Sequence, residues 1–332
     1  MKDRRTVSIL GLMLMLALLM TAVVGCGGGE ATEESQQITI GISQIVEHPA
    51  LDSAQKGFID GMTAAGYVEG EDVVYDIANA QNDKNNALTI AQKFVNDKVD
   101  MIFAIATPTA QAAAQATTDI PILITAVTDP VAAGLVETLD APGGNVTGTT
   151  DMNPIAEQLE LVKKFVPDAK KVGVIYNSGE VNSEVQVEIA KEVAGDLGLE
   201  IVEASVATSS DVSQAAASLV GRVDAIYIPT DNTVVSALET VLQVAEDNKI
   251  PVIAGEGDSV ERGALATLGI DYYELGKQTA EMAVKVLKGE APAGMVIETQ
   301  KNMQLYINKT AAKNMGVEIP ADLLKEADKV FE

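Results

Sequence analysis

From Ile38 onward, short apolar runs alternate with longer stretches in which apolar residues recur every third or fourth position. That alternation of period 2 and period 3.6 is the pattern of strand–helix–strand units, and it predicts parallel sheets covered by helices. Residues 38–42, 73–77, 101–106 and 122–125 read as strands, with helices over 49–65, 85–96 and 108–117 between them. In the first of these helices Leu51, Ala54, Phe58 and Met62 share one face. The pattern restarts at Lys171, with strands over 171–175, 200–204, 225–228 and 252–254 and helices over 183–197, 211–219 and 233–248.

The two halves repeat each other in detail. Val99-Asp100 precedes a strand ending at Thr107, and Val223-Asp224 precedes one ending at Thr230. Each is followed by a helix, then by Ile-Pro (Ile120-Pro121, Ile250-Pro251), an apolar strand and an acidic residue (Asp129, Asp258). Self-similarity in this order predicts two doubly wound, Rossmann-like α/β lobes of related topology. The Pro-Gly-Gly-containing segment 141–148 is a natural crossover, and a second is expected near 269–273. The amphipathic helix 273–287 would then return to the first lobe, while the extended segments of 296–307 and the helix 309–315 rejoin the second. The lobes are therefore expected at 38–146 with 271–295, and at 147–270 with 296–332. Several crossovers between two lobes make a hinge.

The amino terminus has a different grammar. Lys2, Arg4 and Arg5 precede an apolar stretch over 9–24 interrupted by Gly11 and Thr21, and small residues lead to Cys26. This is the form of a secretory signal peptide, residues 1–25. Ala22-Val23-Val24-Gly25 before Cys26 looks like a bacterial lipobox, which would make Cys26 the site of lipid attachment and tether the chain outside the cytoplasm, at the outer face of the cell membrane or in the periplasm. Residues 26–37 are polar, Gly-rich and aperiodic, a flexible leash.

Composition narrows the function. At 332 residues and 47% hydrophobic content the chain suits two domains of ordinary size. A formal charge of −25 with no basic patch argues against nucleic acid as partner. One Cys and one His exclude an internal disulfide and a His/Cys metal cluster, and leave His48 as the only candidate base for a nucleophile triad. No nucleophile elbow, phosphate loop or dinucleotide glycine fingerprint follows a predicted strand. Paired carboxylates across a cleft can serve glycoside hydrolysis, but a chain with no Trp lacks the aromatic platforms of a sugar site. The sequence is read as a binding protein without metal or cofactor.

Ligands of parallel sheets bind beyond the carboxyl ends of the strands. The residues in those places are Ser43, Gln44, Glu47, Asn79, Gln81, Thr107, Thr109, Thr128 and Asp129 in the first lobe, and Tyr176, Asn177, Thr230, Asp231, Asn232, Glu256 and Asp258 in the second. All but Asn79 and Glu256 are taken as ligand-binding. Thr107-Pro108-Thr109 opens a helix whose free N–H groups can hold a carboxylate, and Asp231 on the opposite lobe can hold an ammonium. An amino-acid-like zwitterion fits that pair of charges. The same residues also serve as helix caps, and Asp129 and Asp258 as turn closers.

The stretches 43–52 (SQIVEHPALD), 105–111 (IATPTAQ), 125–131 (TAVTDPV), 142–148 (PGGNVTG), 228–233 (IPTDNT) and 269–273 (GIDYY) resemble the ABC transporter substrate-binding family often described as TrpX-like. The resemblance covers nearly the whole chain after residue 37. It implies a periplasmic-binding-protein fold with several hinge strands, and delivery of a small ligand to a separately encoded permease and ATPase. It further implies an aromatic amino acid as ligand for some relatives. A monomer is expected, with the alternative that the closed form is presented to a receptor in place of a permease.

Overall fold

The computed structural model describes residues 37–300 and 302–332, so the signal-peptide and Cys26 readings lie outside the described residues. Two sheets organise the chain. The first has the order β11-β5-β4-β3-β1-β2 and is parallel throughout: β1 Ile38–Gln44, β2 Val73–Asn79, β3 Met101–Ile105, β4 Ile122–Val127, β5 Val146–Thr150 and β11 Glu298–Thr299. The second has the order β13-β12-β10-β9-β8-β6-β7: β6 Lys171–Asn177, β7 Glu200–Val206, β8 Ala225–Ile228, β9 Val252–Ala254, β10 Ala266–Gly269, β12 Gln304–Asn308 and β13 Lys329–Phe331. In the second sheet β12 runs antiparallel to β10. The central strand β3, Met-Ile-Phe-Ala-Ile, is buried at every residue, as a strand covered on both faces must be.

In the first lobe α1 Pro49–Ala64, α2 Lys84–Asp97 and α3 Thr107–Ala116 follow the first three strands. Asp83 caps α2 by accepting from the Asn85 and Asn86 N–H groups. His48 stands at the N-cap of α1 with no side-chain capping bond, because Pro49 already sets the first helical turn. In the second lobe the helices are α4 Ile155–Phe165, α5 Val181–Ala194, α6 Val212–Leu219, α7 Asn232–Ser236, α8 Leu238–Asn248 and α9 Gly257–Glu261. The expected single helix over 233–248 is broken at Ala237, whose ψ of 25° leaves the helical region.

Helix α10, Tyr272–Leu287, comes after all of these in the chain yet packs on α1 in the first lobe. The contact is backbone to backbone. A Cβ on Gly57 would lie 2.0 Å from the Tyr273 carbonyl oxygen, and one on Gly276 would lie 2.1 Å from that of Ala54. No larger residue fits either place without parting the helices.

The crossovers fall later than the sequence reading put them. The segment expected to leave the first lobe at 146/147 supplies β5, which pairs with β4 through Thr150, so the first sheet runs on beyond the expected boundary. Glu298–Thr299, expected in the second lobe, pairs with β5 in the first sheet. Strand β5 was hidden because Val-Thr-Gly-Thr-Thr is weakly apolar and follows a Pro-Gly-Gly turn.

Candidate functional site

The carboxyl edges of the two sheets face each other, and the lobes touch directly. Asn82 Nδ2 donates to Thr233 Oγ1 at 2.9 Å, Lys84 Nζ to the Gly179 carbonyl at 2.6 Å, and Ser53 Oγ to Asp258 Oδ1 at 3.3 Å. Between these contacts lies a small cavity lined by both lobes. The first lobe contributes His48, Ala50 and Leu51 at the start of α1, Ala126 on β4, Asp151 just after β5 and Tyr272 at the start of α10. The second contributes Asn182 on α5, Thr230, Asp231 and Asn232 after β8, Val235 on α7 and Glu256 after β9. Strand ends of both sheets therefore wall one space, as the topology of parallel sheets requires.

Three carboxylates in that wall are removed from water: Asp151 is 2% exposed, Asp231 1% and Glu256 2%. Burial raises the pKa of all three. Asp231 is pushed up to about 7 by burial and then by Glu180, and Glu256 to about 7 by burial and then by Asp258. Asp151 is raised by burial against the opposing hydrogen bonds from Tyr272 and Thr128. Among the described residues no Lys or Arg forms an ion pair with any of them.

The three differ in how fully the protein satisfies them. Asp231 Oδ1 accepts from the Val234 N–H, and Oδ2 accepts from the Asn177 N–H and Ser183 Oγ. It caps α7 and ties β6, α5 and α7 together. Glu256 accepts from the N–H and hydroxyl of Ser259 and caps α9. Asp151 takes one hydroxyl on each oxygen, Thr128 Oγ1 at 2.9 Å and the Tyr272 hydroxyl, leaving a lone pair on each.

Several buried polar atoms in and behind the wall have no partner among the described residues. They are Ser43 Oγ, Gln44 Oε1, His48 Nδ1, Thr107 Oγ1, Asn153 Oδ1 and Asn182 Oδ1. An unpaired buried polar atom costs about 1–3 kcal/mol, so a cluster of them at one edge marks a place where another molecule completes the hydrogen bonding. Burial holds the His48 pKa down to about 3, with Arg262 adding to the shift, so the imidazole is neutral. The backbone is also strained at this edge. Ala106 has φ 83° and ψ 154°, a region that belongs to glycine, and Ala126 has φ 54° beside the β4–β5 register shift.

Of the residues expected from sequence, Thr230, Asp231 and Asn232 line the cavity. Ser43, Gln44, Thr107 and Thr128 are buried at the strand ends of the first lobe, Thr128 as the donor to Asp151. Thr109 is buried but its hydroxyl donates to the Ile105 and Ala106 carbonyls, so it is occupied by its own helix. Asp129 closes a turn by accepting from Val131 and Ala132, and Tyr176 donates to Glu203. Asn177 braces Asp231 and donates to Thr233. Glu47 and Gln81 are exposed, and Asp258 takes the interlobe bond from Ser53. The lining residues outside the sequence-based set are His48, Ala50, Leu51, Ala126, Asp151, Asn182, Val235, Glu256 and Tyr272. The strand-end rule would have found Asp151 had β5 been recognised, and it did reach Glu256.

Two α/β sheets that close their carboxyl edges over one buried cavity define a two-lobed ligand-binding protein. Residues 39–331 match the model of the ABC transporter substrate binding protein family, and the chain belongs to that family. It is 47% identical over 327 residues to a tyrosine-binding protein of Clostridioides difficile, covering 96% of this chain and 95% of that one. It superimposes with a TM-score of 0.86 and 38% identity on a Streptococcus pneumoniae ABC domain in complex with L-Trp, covering 89% of this chain and 100% of that one. The ligand-free, open structure of a Clostridium difficile substrate binding protein with adhesive properties is 50% identical but has a TM-score of 0.68, over 89% of this chain and 99% of that one. Shape here runs against sequence identity. Rotation of rigid lobes lowers a whole-chain superposition, and the direct interlobe contacts agree that this chain is in a closed arrangement.

Proposed function

We propose that the protein is the extracytoplasmic, lipid-anchored capture component of an ABC importer and that it binds an aromatic amino acid as a monomer for delivery to the permease. The observation that carries this reading is the closed cavity walled by buried carboxylates that form no ion pair with a basic residue among those described. A buried acidic wall is stable when a cation completes it, and the ammonium of an amino acid is such a cation. We assign the ammonium to Asp151, which takes one donor on each oxygen, in place of the Asp231 expected from sequence, which already serves three donors. The Ser43 and Thr107 hydroxyls, with the free N–H groups opening α3, supply donors for the carboxylate. Leu51, Ala126, Val235 and the Tyr272 ring supply apolar surface for an aromatic side chain.

The test is calorimetry with L-tyrosine, L-tryptophan and their analogues lacking the amine, with small-angle scattering on the same samples. The amino acids bind and the free protein compacts on binding; the desamino analogues are at least about 30-fold weaker, since they leave a buried carboxylate unneutralised. Equal binding of the desamino analogues removes the ammonium reading. Anchoring rests on Cys26, and a Cys26→Ser chain that stays with salt-washed membranes would remove that part.

A further inference from the structure

Two of the unpartnered atoms are in the cavity wall itself, one on each lobe. Asn182 is 3% exposed, and its amide orientation is fixed because Nδ2 donates to the Thr230 carbonyl at 3.1 Å and to Ser183 Oγ at 3.2 Å. That leaves Oδ1 as a bare acceptor. His48 is 7% exposed, makes no capping bond to α1 and leaves Nδ1 without a partner. Neither group carries charge, so neither substitutes for the carboxylates in holding an ammonium, and a bare amide oxygen disfavours a ligand carboxylate.

We propose that Asn182 and His48 together read a phenolic hydroxyl at the tip of the ligand ring, making them the specificity-determining residues of the site. This rests on the reading of the ligand as an aromatic amino acid. A phenol donates one hydrogen bond and accepts another. Its proton satisfies Asn182 Oδ1, and its oxygen accepts from His48 in the neutral tautomer that carries the proton on Nδ1. An indole N–H satisfies only the acceptor, and a phenyl ring satisfies neither. A site built to pair with a hydroxyl rejects the analogue that lacks it, because the buried partners stay unpaired.

The experiment is calorimetry of the intact protein with L-tyrosine, L-tryptophan and L-phenylalanine, repeated on Asn182→Leu and His48→Leu. The wild type binds tyrosine about 10- to 100-fold more tightly than phenylalanine, with tryptophan between them. Each variant narrows the tyrosine-to-phenylalanine ratio toward one. That ratio cancels any general loosening of the fold, since both ligands meet the same protein. His48→Leu serves as the independent check if loss of the Asn182–Thr230 bond unfolds the other variant. Equal binding of tyrosine and phenylalanine by the wild type overturns the assignment and leaves the aromatic reading in place. A variant that weakens both ligands equally also overturns it, placing that residue at the shared ammonium. Failure of all three amino acids to bind the folded protein overturns the aromatic reading and this inference with it.

Discussion

Asp151→Asn is expected to lower affinity for the amino-acid ligand by 30-fold or more while leaving the ligand-free protein as stable as the wild type or more so. The two effects have one cause. In the empty site Asp151 is a buried carboxylate whose charged form burial disfavours, and its two hydroxyl donors only partly compensate. Asparagine keeps the shape. Its amide oxygen accepts from one hydroxyl and its NH₂ donates to the other, so the neighbours remain paired and a desolvated charge is gone. Once the ligand is bound, the same change leaves an ammonium buried without its counter-charge, which costs about 2–5 kcal/mol. Denaturant unfolding of the free protein and calorimetry of binding measure the two halves separately. A variant that binds like the wild type sinks the assignment, whereas one that loses affinity and stability together gives Asp151 a structural role only.

The second large effect is on pH. Stability of the closed protein is expected to fall as pH rises from 5 to above 7. Asp231 and Glu256 titrate near 7 in the fold and near 4 when unfolded, so the folded protein binds the extra protons across this window. A raised folded pKa means stability that is complete below the unfolded pKa and is lost on passing upward through the folded one. Each group contributes a slope of about −1.4 kcal/mol per pH unit. His48 opposes them: its pKa is depressed to about 3, so it favours the fold with rising pH until its unfolded pKa near 6.5 is passed. One carboxylate is thus offset below pH 6.5, and the fall steepens between 6.5 and 7. The salt-bridged Glu203 and Glu239 have lowered pKa values and stay ionised throughout. Urea unfolding at half-unit steps follows the curve. Stability that is flat or rises over this range contradicts the buried, unneutralised carboxylates.

Much of the fold was legible where a strand is wholly apolar or a helix clearly periodic, as in β3 and α1. The repeated Val-Asp, Ile-Pro series located both lobes before any geometry was known. What stayed hidden was polar or short. Strand β5 is rich in Thr, and its hydroxyls are buried because they bond to one another and onward: Thr149 to Thr125 and to Thr279. No periodicity argument sees such pairing. Missing β5 meant missing Asp151, the next residue. The strand-end rule found Asp231 but could not show that its carboxylate already serves three donors, for those come from three separate elements. Glu47 and His48 illustrate the same limit. Both follow β1, the charged one faces solvent, and the helix start turns its neighbour into the cavity.

The packing of α10 on α1 bears on the order in which the molecule can be made. The face of α1 that includes Ala54 and Gly57 is covered by residues more than two hundred positions later in the chain, and the first sheet is not finished until Glu298–Thr299 arrives beside β5. The second sheet waits in turn for β12 and β13 in the last thirty residues. Neither lobe is a contiguous length of chain, so neither can become native before its late strands, 298–299 for the first and 304–308 with 329–331 for the second, have been made. Such long-range closure slows folding and postpones it to a single late, cooperative event. A nascent chain of this kind stays unfolded until almost all of it is available, the state in which a polypeptide can still be threaded through a narrow pore.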